Sequence, residues 1–390
     1  MASQKEERLI EEFLATYGGE EGDVRTFFAP GRVNLIGEHT DYNGGHVLPA
    51  AISLGIRAAV RYTGRRTVRF RSTDLPGGIS LDLGSEIRFD RKDDWGNYPK
   101  GVVACLRSEG QQIPGCEVLF SGDLPVGAGL SSSAALEILT GYFLLYPSQG
   151  DSIDRIALAK TCQKAENEFV GVGCGIMDQF TVAMGKKESA ILLDCATLHH
   201  AHVPVHLGGF RLLIVDTGKG RRLDDSKFNR RRAECEAALA MVRQHRDVTS
   251  LCAATQEDVD AYVSDETLKK RASHVVSEEL RTVRAAELLA RGDLGGFGRL
   301  LTESHTSLRR DFEVSCSELD IVVEESLAVG GCLGVRMTGA GFGGCAIALV
   351  RAWEVLEFEE RVKTGYRRRT RLEASVYDCA IGDGVRALNP

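Results

Sequence analysis

A segment rich in glycine and serine stands directly before an apolar helical pattern, and this arrangement constrains the fold more than any other feature of the chain. Residues 125–137 read PVGAGLSSSAALE. Glycine lets the backbone approach a ligand closely, and the first turn of a helix has free N–H groups and the positive end of the helix dipole. The segment therefore indicates an anion site that suits phosphate. It lacks the Gly-Lys-Ser/Thr ending of a Walker A loop, and the alternative is a turn followed by a serine that caps the helix.

The composition excludes several classes of protein. Glycine accounts for 43 of the 390 residues, about 11% against an average near 7%. The glycines follow no Gly-X-Y repeat and proline is scarce, so collagen and Pro/Gly-rich disorder are excluded. The net charge of −7 argues against a nucleic-acid partner. The 11 cysteines form no C-x-x-C pair, which leaves zinc ribbons without support. No stretch approaches 18 apolar residues, so no membrane segment is predicted.

The order of the elements predicts an α+β fold. Hydrophobic periodicity predicts helices over residues 1–17, 131–146, 152–169 and 228–244, and strands over 26–28, 57–62, 117–120, 210–216, 332–337 and 345–350. These do not alternate as strict βαβ units, so α+β is favoured over a doubly wound sheet. The length favours two domains, placed at residues 1–200 and 201–390. The first residues are typical of an amphipathic surface helix and not of a signal peptide, so a cytoplasmic protein with reduced thiols is expected.

A second segment concentrates hydrogen-bonding side chains. Residues 29–45 read APGRVNLIGEHTDYNGG and bring an arginine, two carboxylates and a histidine close together in sequence. Carboxylates accept hydrogen bonds from hydroxyl groups, so this density suits a polyhydroxylated ligand. The alternative is a polar turn, since Asn-Gly is a strong hairpin signal.

Two further segments place glycines next to functional groups. Residues 166–179 read ENEFVGVGCGIMDQ. Glu166 could bind magnesium, a hard cation, and Asp178 could accept a hydroxyl proton or orient the hydroxyl. The alternatives are a solvated helix residue and a helix cap. Residues 338–345, TGAGFGGC, connect two apolar strands with more glycine than a hairpin needs, which indicates a close approach of backbone to ligand.

Taken in order, these four segments resemble the GHMP small-molecule kinases over residues 24–350. Residues 31–45 are similar to the signature of the members that phosphorylate galactose. The resemblance implies two α+β domains, the C-terminal one ferredoxin-like, with the active site in the cleft between them. It also implies transfer of a phosphoryl group from ATP, with Mg²⁺, to the anomeric C1 hydroxyl of galactose.

The roles of individual residues follow from this resemblance alone. It implies that Asp178 and Arg32 are the catalytic pair. The sugar-binding residues that it implies are Glu38, His39, Asp41, Gly175 and Phe228. The nucleotide-binding residues that it implies are Trp95, Gly127, Ala128, Gly129, Leu130, Ser131, Ser132 and Ser133. The implied Mg²⁺ ligands are Ser132 and Glu166.

One departure from the family pattern leaves the exact sugar open. The family usually has a tyrosine, whose phenol bonds the sugar, where this chain has Phe228. A neutral hydrogen bond contributes about 0.5–1.5 kcal/mol, so a kinase for a related sugar is an alternative. A non-catalytic sugar sensor is a second alternative, although such relatives lose residues of the Ser-Ser-Ser-Ala-Ala segment that is intact here at 131–135. The expected partners are a sugar and ATP, without nucleic acid or membrane, and a monomer is favoured.

Overall fold

The computed structural model describes residues 2–125, 129–219 and 225–389. The helices in these ranges are α1 (Ala2–Tyr17), α2 (Asn97–Ser108), α3 (Ser132–Gln149), α4 (Arg155–Lys164), α5 (Met177–Met184), α6 (Asp225–Arg243), α7 (Gln256–Tyr262), α8 (Glu266–Ala290), α9 (Leu294–Ser307), α10 (Ser317–Leu327) and α11 (Val355–Thr370). The strands are β1 (Arg25–Asn34), β2 (His46–Val47), β3 (Pro49–Thr63), β4 (Thr67–Ser72), β5 (Gly78–Asp82), β6 (Gly115–Gly122), β7 (Ser189–Asp194), β8 (His200–Pro204), β9 (Phe210–Asp216), β10 (Cys332–Thr338), β11 (Cys345–Arg351), β12 (Ser375–Asp378) and β13 (Arg386–Ala387).

The first sheet has six strands in the order β13-β1-β3-β6-β4-β5. Side chains that alternate along a strand face opposite sides of a sheet, and here Val118 and Phe120 pack towards α3 while Leu119 packs towards α1. The amphipathic α1 covers that second face with Leu9 and Phe13, which are 2% and 0% exposed. The sheet is therefore buried between α1 on one side and the group α2 to α5 on the other.

A bulge in β1 positions the first candidate site residue. The register between β1 and β3 shifts between Pro30 and Arg32, and bulges re-aim the side chains beside them. A Cβ atom at Gly31 would lie 2.8 Å from the carbonyl oxygen of Leu130. We call residues 125–133 the phosphate segment, and the structure describes this segment up to residue 125 and from residue 129 on. Glycine at position 31 lets the part around Leu130 pack directly against β1, beside Arg32.

The second sheet, β10-β11-β9-β12, is covered on both faces. Ile214 and Ile347 pack with Leu301 of α9 and with residues of α8 in one core, whereas the opposite face packs against α10 and α11. A strand buried on both faces reads as a continuous apolar run, which explains the sequence of β9. The third sheet, β2-β7-β8, contacts α8, and this 25-residue helix therefore reaches from the third sheet to α9.

The structure confirms the predicted α+β fold and most of the predicted elements. The predicted strands all lie within β1, β3, β6, β9, β10 and β11. The helix predicted over residues 152–169 is wrong in detail, because the chain forms a 3-10 turn at Gly150–Ser152, then α4, and then a π-helical segment at Ala165–Val170. The π segment changes the helical register at Glu166 and turns that carboxylate into the interior, where it is 6% exposed. π-bulges of this kind occur often at functional sites.

The division at residue 200 stays a prediction. The two residues of β13 pair with β1, so the C-terminal end of the chain rejoins the first sheet. Within the described ranges, every helix is too short or too polar to span a lipid bilayer.

Candidate active site

A cavity of about 530 Å³ opens where the end of β1 meets the N-terminal ends of α3, α5 and α6. The turn between β10 and β11 closes another side through Gly339 and Ala340. The predicted site residues that line this cavity are Arg32, Glu38, His39, Asp41, Trp95, Gly129, Ser131, Ser132, Ser133, Glu166, Gly175, Asp178 and Phe228. The structure therefore brings all four sequence segments to one cleft.

Among the predicted nucleotide-binding residues that the structure describes, Leu130 is the one that lies in the core and not along the cavity. Gly127 and Ala128 lie outside the described residues. Leu130 is 2% exposed and its side chain packs in the core beside Val33. Its carbonyl oxygen accepts the backbone N–H of Arg32 at 3.2 Å, so Leu130 anchors the end of the phosphate segment to β1.

The centre of the cavity holds a bidentate ion pair between Arg32 and Asp178. Nε of Arg32 donates to Oδ1 of Asp178 and Nη2 donates to Oδ2, both at 2.7 Å. The third nitrogen, Nη1, donates to the carbonyl oxygen of Gly129 at 2.7 Å. Arg32 is 4% exposed, and such planar, two-point pairing fixes the orientation of both groups. The guanidinium thus ties the acid at the start of α5 to the phosphate segment.

Ser131 adds a third donor to Asp178 instead of capping its own helix. It has φ 61° and ψ 47°, a left-handed conformation that is uncommon for a residue other than glycine. Its hydroxyl donates to Oδ2 of Asp178 and makes no capping bond to α3. The alternative that Ser131 is a simple helix cap is therefore not what the structure shows, and the first-turn N–H groups of α3 are left uncapped by this side chain.

Glu166 lies deeper in the cleft among polar groups. Its Oε2 accepts a hydrogen bond from Nε2 of Gln179 at 2.5 Å and from the Cys174 thiol at 3.4 Å. Burial raises the pKa of the Glu166 carboxyl, and the charge of Asp178 raises it further, while hydrogen bonds from Cys174, Ser133 and Gln179 lower it. Ser132 is exposed, so the hydroxyl that the structure brings to Glu166 is that of its neighbour Ser133.

These oxygen donors fit a magnesium ion. A carboxylate and a hydroxyl are hard ligands of the kind that Mg²⁺ prefers, and Mg²⁺ usually takes only one or two protein ligands alongside phosphate oxygens and water. Among the residues that the structure describes, no three His, Cys, Asp or Glu side chains are grouped to hold a metal. The donor set therefore suits an ion that arrives with a nucleotide better than one held in a protein cage.

The segment with Glu38, His39 and Asp41 forms the opposite wall. Glu38 and His39 are 3% and 4% exposed. Oε1 of Glu38 accepts the backbone N–H of Gly339 at 2.6 Å, and Nδ1 of His39 lies 2.9 Å from the hydroxyl of Tyr42. Burial raises the pKa of Asp41 to about 6, and the charges of Asp178 and Glu38 act in the same direction. The wall thus presents acidic groups that are held by backbone and neighbouring side chains.

Gly175 and Phe228 complete the predicted sugar side. A Cβ atom at Gly175 would lie 2.0 Å from Oδ2 of Asp41, so only glycine leaves that carboxylate in place. The ring of Phe228 has its centroid 6.0 Å from that of His39 and 5.5 Å from that of Tyr42. Phe228 is therefore part of an aromatic cluster at the edge of the cleft.

Trp95 stands at the far end of the cavity, beside Tyr98 and Leu75. Its indole N–H donates to the carbonyl oxygen of Pro76 at 3.2 Å, and its ring meets that of Phe120 edge to face at 6.1 Å. This end is more apolar than the centre and can take a planar aromatic base.

Several residues around the site were missed by the sequence analysis. Glu137 and Gln179 are fully buried behind Glu166, where Gln179 also donates to Glu137 at 3.1 Å. Glu278 of α8 accepts the backbone N–H of Gly37 at 3.1 Å and the hydroxyl of Ser304. A charged residue inside an apolar helix needs a partner when buried, and this was the signal available for Glu137 of α3.

Comparison with protein-family models matches three regions of the chain. A galactokinase galactose-binding signature matches residues 11–62, the N-terminal domain of GHMP kinases matches 97–186, and their C-terminal domain matches 285–367. Among solved structures, the Methanococcus jannaschii mevalonate kinase superposes with a TM-score of 0.64 at 20% identity, covering 93% of this chain and 100% of that one. This fold and these matches define the class of GHMP small-molecule kinases.

Close relatives narrow the class. The galactokinase of Clostridium tetani is 46% identical over 97% of this chain and 96% of its own length, and that of Bacillus subtilis is 44% identical over 96% and 97%. The crystal structure of Lactococcus lactis galactokinase complexed with galactose superposes with a TM-score of 0.93 at 42% identity, covering 97% of this chain and 99% of that one. The chain belongs to the galactokinase family.

Proposed function

We propose that this protein transfers the terminal phosphoryl group of ATP to the anomeric C1 hydroxyl of galactose and so forms galactose 1-phosphate. The observation that carries the proposal is the carboxylate of Asp178, held by Arg32 and Ser131 between the N-terminal end of α3 and the wall formed by Glu38 to Asp41. The match of residues 11–62 to a galactose-binding signature supports galactose as the sugar.

The hydrogen bonds of Asp178 indicate which oxygen receives the sugar. A carboxylate oxygen accepts about two hydrogen bonds. Oδ2 already accepts two, from Nη2 of Arg32 and from Ser131, whereas Oδ1 accepts one, from Nε of Arg32. We therefore assign Oδ1 as the acceptor for the C1 hydroxyl. It orients the hydroxyl oxygen towards the γ-phosphorus and takes its proton as the new O–P bond forms and the bond to ADP breaks.

The nucleotide would lie along the other half of the cleft. Gly129 and residues 131–133 at the start of α3 line the cavity, and the N–H groups of a first helical turn suit phosphates. The apolar end with Trp95 and Tyr98 suits the base. Arg32 neutralises Asp178 and stands beside the position of the transferring group, where a cation stabilises developing negative charge.

We assign Glu166 and Ser133 as the residues that would hold Mg²⁺, with Ser132 next to them as the resemblance implies. Bound together with ATP, Mg²⁺ would neutralise negative charge on the phosphates. On the protein side, Gln179 and Cys174 orient the Glu166 carboxylate through the bonds described above. A cytoplasmic location and a monomeric state stay predictions.

Release of ADP from ATP and Mg²⁺, measured with a panel of hexoses and pentoses, tests the proposal. We expect the highest kcat/KM with galactose. The Asp178→Asn variant should lose several orders of magnitude in kcat while it still binds the sugar, since the neutral amide keeps an acceptor but not a base. A far higher kcat/KM for another sugar would show that the protein is a kinase for that sugar, and Phe228 motivates this alternative. Sugar binding without turnover would show a sensor and refute the proposal.

A further inference from the structure

Arg336 is a buried charge in the middle of the apolar strand β10. Its side chain is 0% exposed. Nη1 donates to the backbone carbonyl oxygens of Asn34 at 3.1 Å and of Leu35 at 2.8 Å. Nη2 lies 3.3 Å from Oε1 of Glu38. All of these contacts are to the segment that runs from the end of β1 into the sugar-side wall.

Burying an arginine in this way costs desolvation free energy that an apolar side chain would not. Within the described part of the chain, Nε and Nη2 of Arg336 are buried without a hydrogen-bond partner. A buried cation with incomplete bonding is destabilising compared with an apolar side chain of similar volume. Stability alone therefore does not account for an arginine at this position, and the groups that it contacts point to a role in the site.

The geometry of Glu38 shows what Arg336 does. Oε1 of Glu38 is held by the N–H of Gly339 at 2.6 Å and faces Arg336. The backbone of Glu38 is fixed separately, because its carbonyl oxygen lies 3.2 Å from Nε2 of His274 and its N–H lies 3.4 Å from Glu278. Oε1 is thus engaged by β10 and the turn that follows it, and Glu38 itself lines the cavity.

We infer that Arg336 is a positioning residue for the sugar: it holds Oε1 of the Glu38 carboxylate in one orientation, so that the other oxygen, Oε2, can accept a sugar hydroxyl. The inference rests on the proposed function, because it requires that Glu38 contacts the sugar. It adds a residue from the C-terminal half of the chain that lies outside the cavity lining.

Charges around Glu38 support this role. Burial raises the pKa of Glu38, and Arg336 opposes this more strongly than the Gly339 N–H or Arg32 do. The other ionisable groups near Glu38 are Asp41 on the same wall, together with His274 and Glu278 of α8. When the pH is lowered, a variant with a weakened Arg336–Glu38 contact should therefore lose sugar affinity at a higher pH than the wild type does.

The test is the Arg336→Lys variant, measured for kcat and for the KM of both substrates with the sugar that the wild type prefers in the panel. We expect the sugar KM to rise about 10- to 100-fold, as for loss of a hydrogen bond to a charged group. We expect kcat and the KM for ATP to stay within about twofold. The control is Arg61→Lys, which weakens a part-buried ion pair, with Glu117 at 2.5 Å, away from the cavity.

A double-mutant cycle with Glu38→Gln separates positioning from general damage. If Arg336 acts through Glu38, Arg336→Lys has little further effect on sugar affinity in the Glu38→Gln background. An equal effect in both backgrounds, or an unchanged sugar KM in the single variant, overturns the inference. A wild type that phosphorylates no sugar would instead refute the proposed function, so the two failures are distinguishable.

A second measurement applies if Arg336→Lys does not fold. Glu38→Gln leaves Arg336 as an uncompensated buried charge, whereas the Arg336→Met/Glu38→Gln double variant removes both charges. We expect the double variant to have a higher Tm than Glu38→Gln alone. A Tm for the double variant at or below that of the single variant would show that the two charges are not paired and would overturn the inference.

Discussion

Replacing Gly175 with alanine should move one carboxylate of the sugar-side wall and little else. The added Cβ would lie 2.0 Å from Oδ2 and 2.8 Å from Cγ of Asp41, and these are its nearest contacts outside the neighbouring residues. The carboxylate is the end of a short side chain, so it can rotate away while the backbone stays in place. The variant therefore tests where the Asp41 carboxylate must lie, because the residue itself is kept and only its position changes.

The size of the effect follows from that distance. Ordinary van der Waals contact begins near 3.4 Å, so Oδ2 must retreat by about 1.4 Å. A misplacement of about 1 Å in a binding or catalytic group can cost about 10²-fold, and a lost hydrogen bond to a charged group costs about 1.5–3 kcal/mol. We expect the KM for galactose to rise about 10- to 100-fold, with the KM for ATP within about twofold and a Tm close to that of the wild type.

The assay is steady-state ADP release with each substrate varied in turn, accompanied by thermal unfolding. Gly173→Ala is the matched control, because a Cβ there meets only Nη1 of Arg232, at 3.9 Å. We expect this control to change the galactose KM by less than about threefold. An unchanged galactose KM in Gly175→Ala, or equal effects in the two variants, would show that Asp41 does not contact the sugar from this position.

Three further outcomes are expected. Ser131→Ala removes one donor from Oδ2 of Asp178 and should lower kcat about tenfold or more, with both KM values nearly unchanged; an unaltered kcat would contradict the assigned role. Phe228→Tyr should lower the galactose KM about two- to tenfold if the ring faces the sugar, and the same KM as the wild type would show that it does not. The pKa of Asp41 is raised to about 6, so the acid becomes protonated as the pH falls through that value. The galactose KM should therefore begin to rise as the pH falls below about 6, and Asp41→Asn should remove this step near pH 6.

The elements that position the site could be predicted because their patterns are local. The apolar run of β9 and the serine-rich start of α3 each depend on residues that are near one another in sequence. The four glycine-containing segments also met in one cleft as the resemblance implied. Contacts such as Arg32 with Asp178, 146 residues apart, followed from the family resemblance and not from periodicity.

The register of the π-helical segment could not be predicted in the same way. A regular α-helix over residues 152–169 satisfies the hydrophobic pattern, but the structure widens one turn at Ala165–Val170. Within this segment Glu166 accepts a hydrogen bond from Gln179 of α5, a partner that helical periodicity does not reveal. The hydrogen bond between Ser133 and Glu166 likewise depends on tertiary placement.

Arg336 and Glu278 were missed for a related physical reason. Arg336 is the single charged residue of the apolar strand β10, whereas Glu278 stands in the charged helix α8, and each binds backbone groups more than 200 residues away. Sequence spacing gives no information about such partners. For Arg336, a charge inside an apolar strand was the available signal, since burial of a charge requires compensation.

Asp178 links the two acidic groups of the cleft electrostatically. Its charge raises the pKa of Asp41 on the sugar side and that of Glu166 on the nucleotide side, in each case as an addition to burial. Arg32 and the cation that accompanies ATP oppose these charges. Asp178→Asn therefore removes the base and also lowers the pKa of Asp41, so the pH at which this variant loses sugar affinity should fall below that of the wild type. A comparison of the two pH profiles separates the electrostatic effect on sugar binding from the loss of the base in kcat.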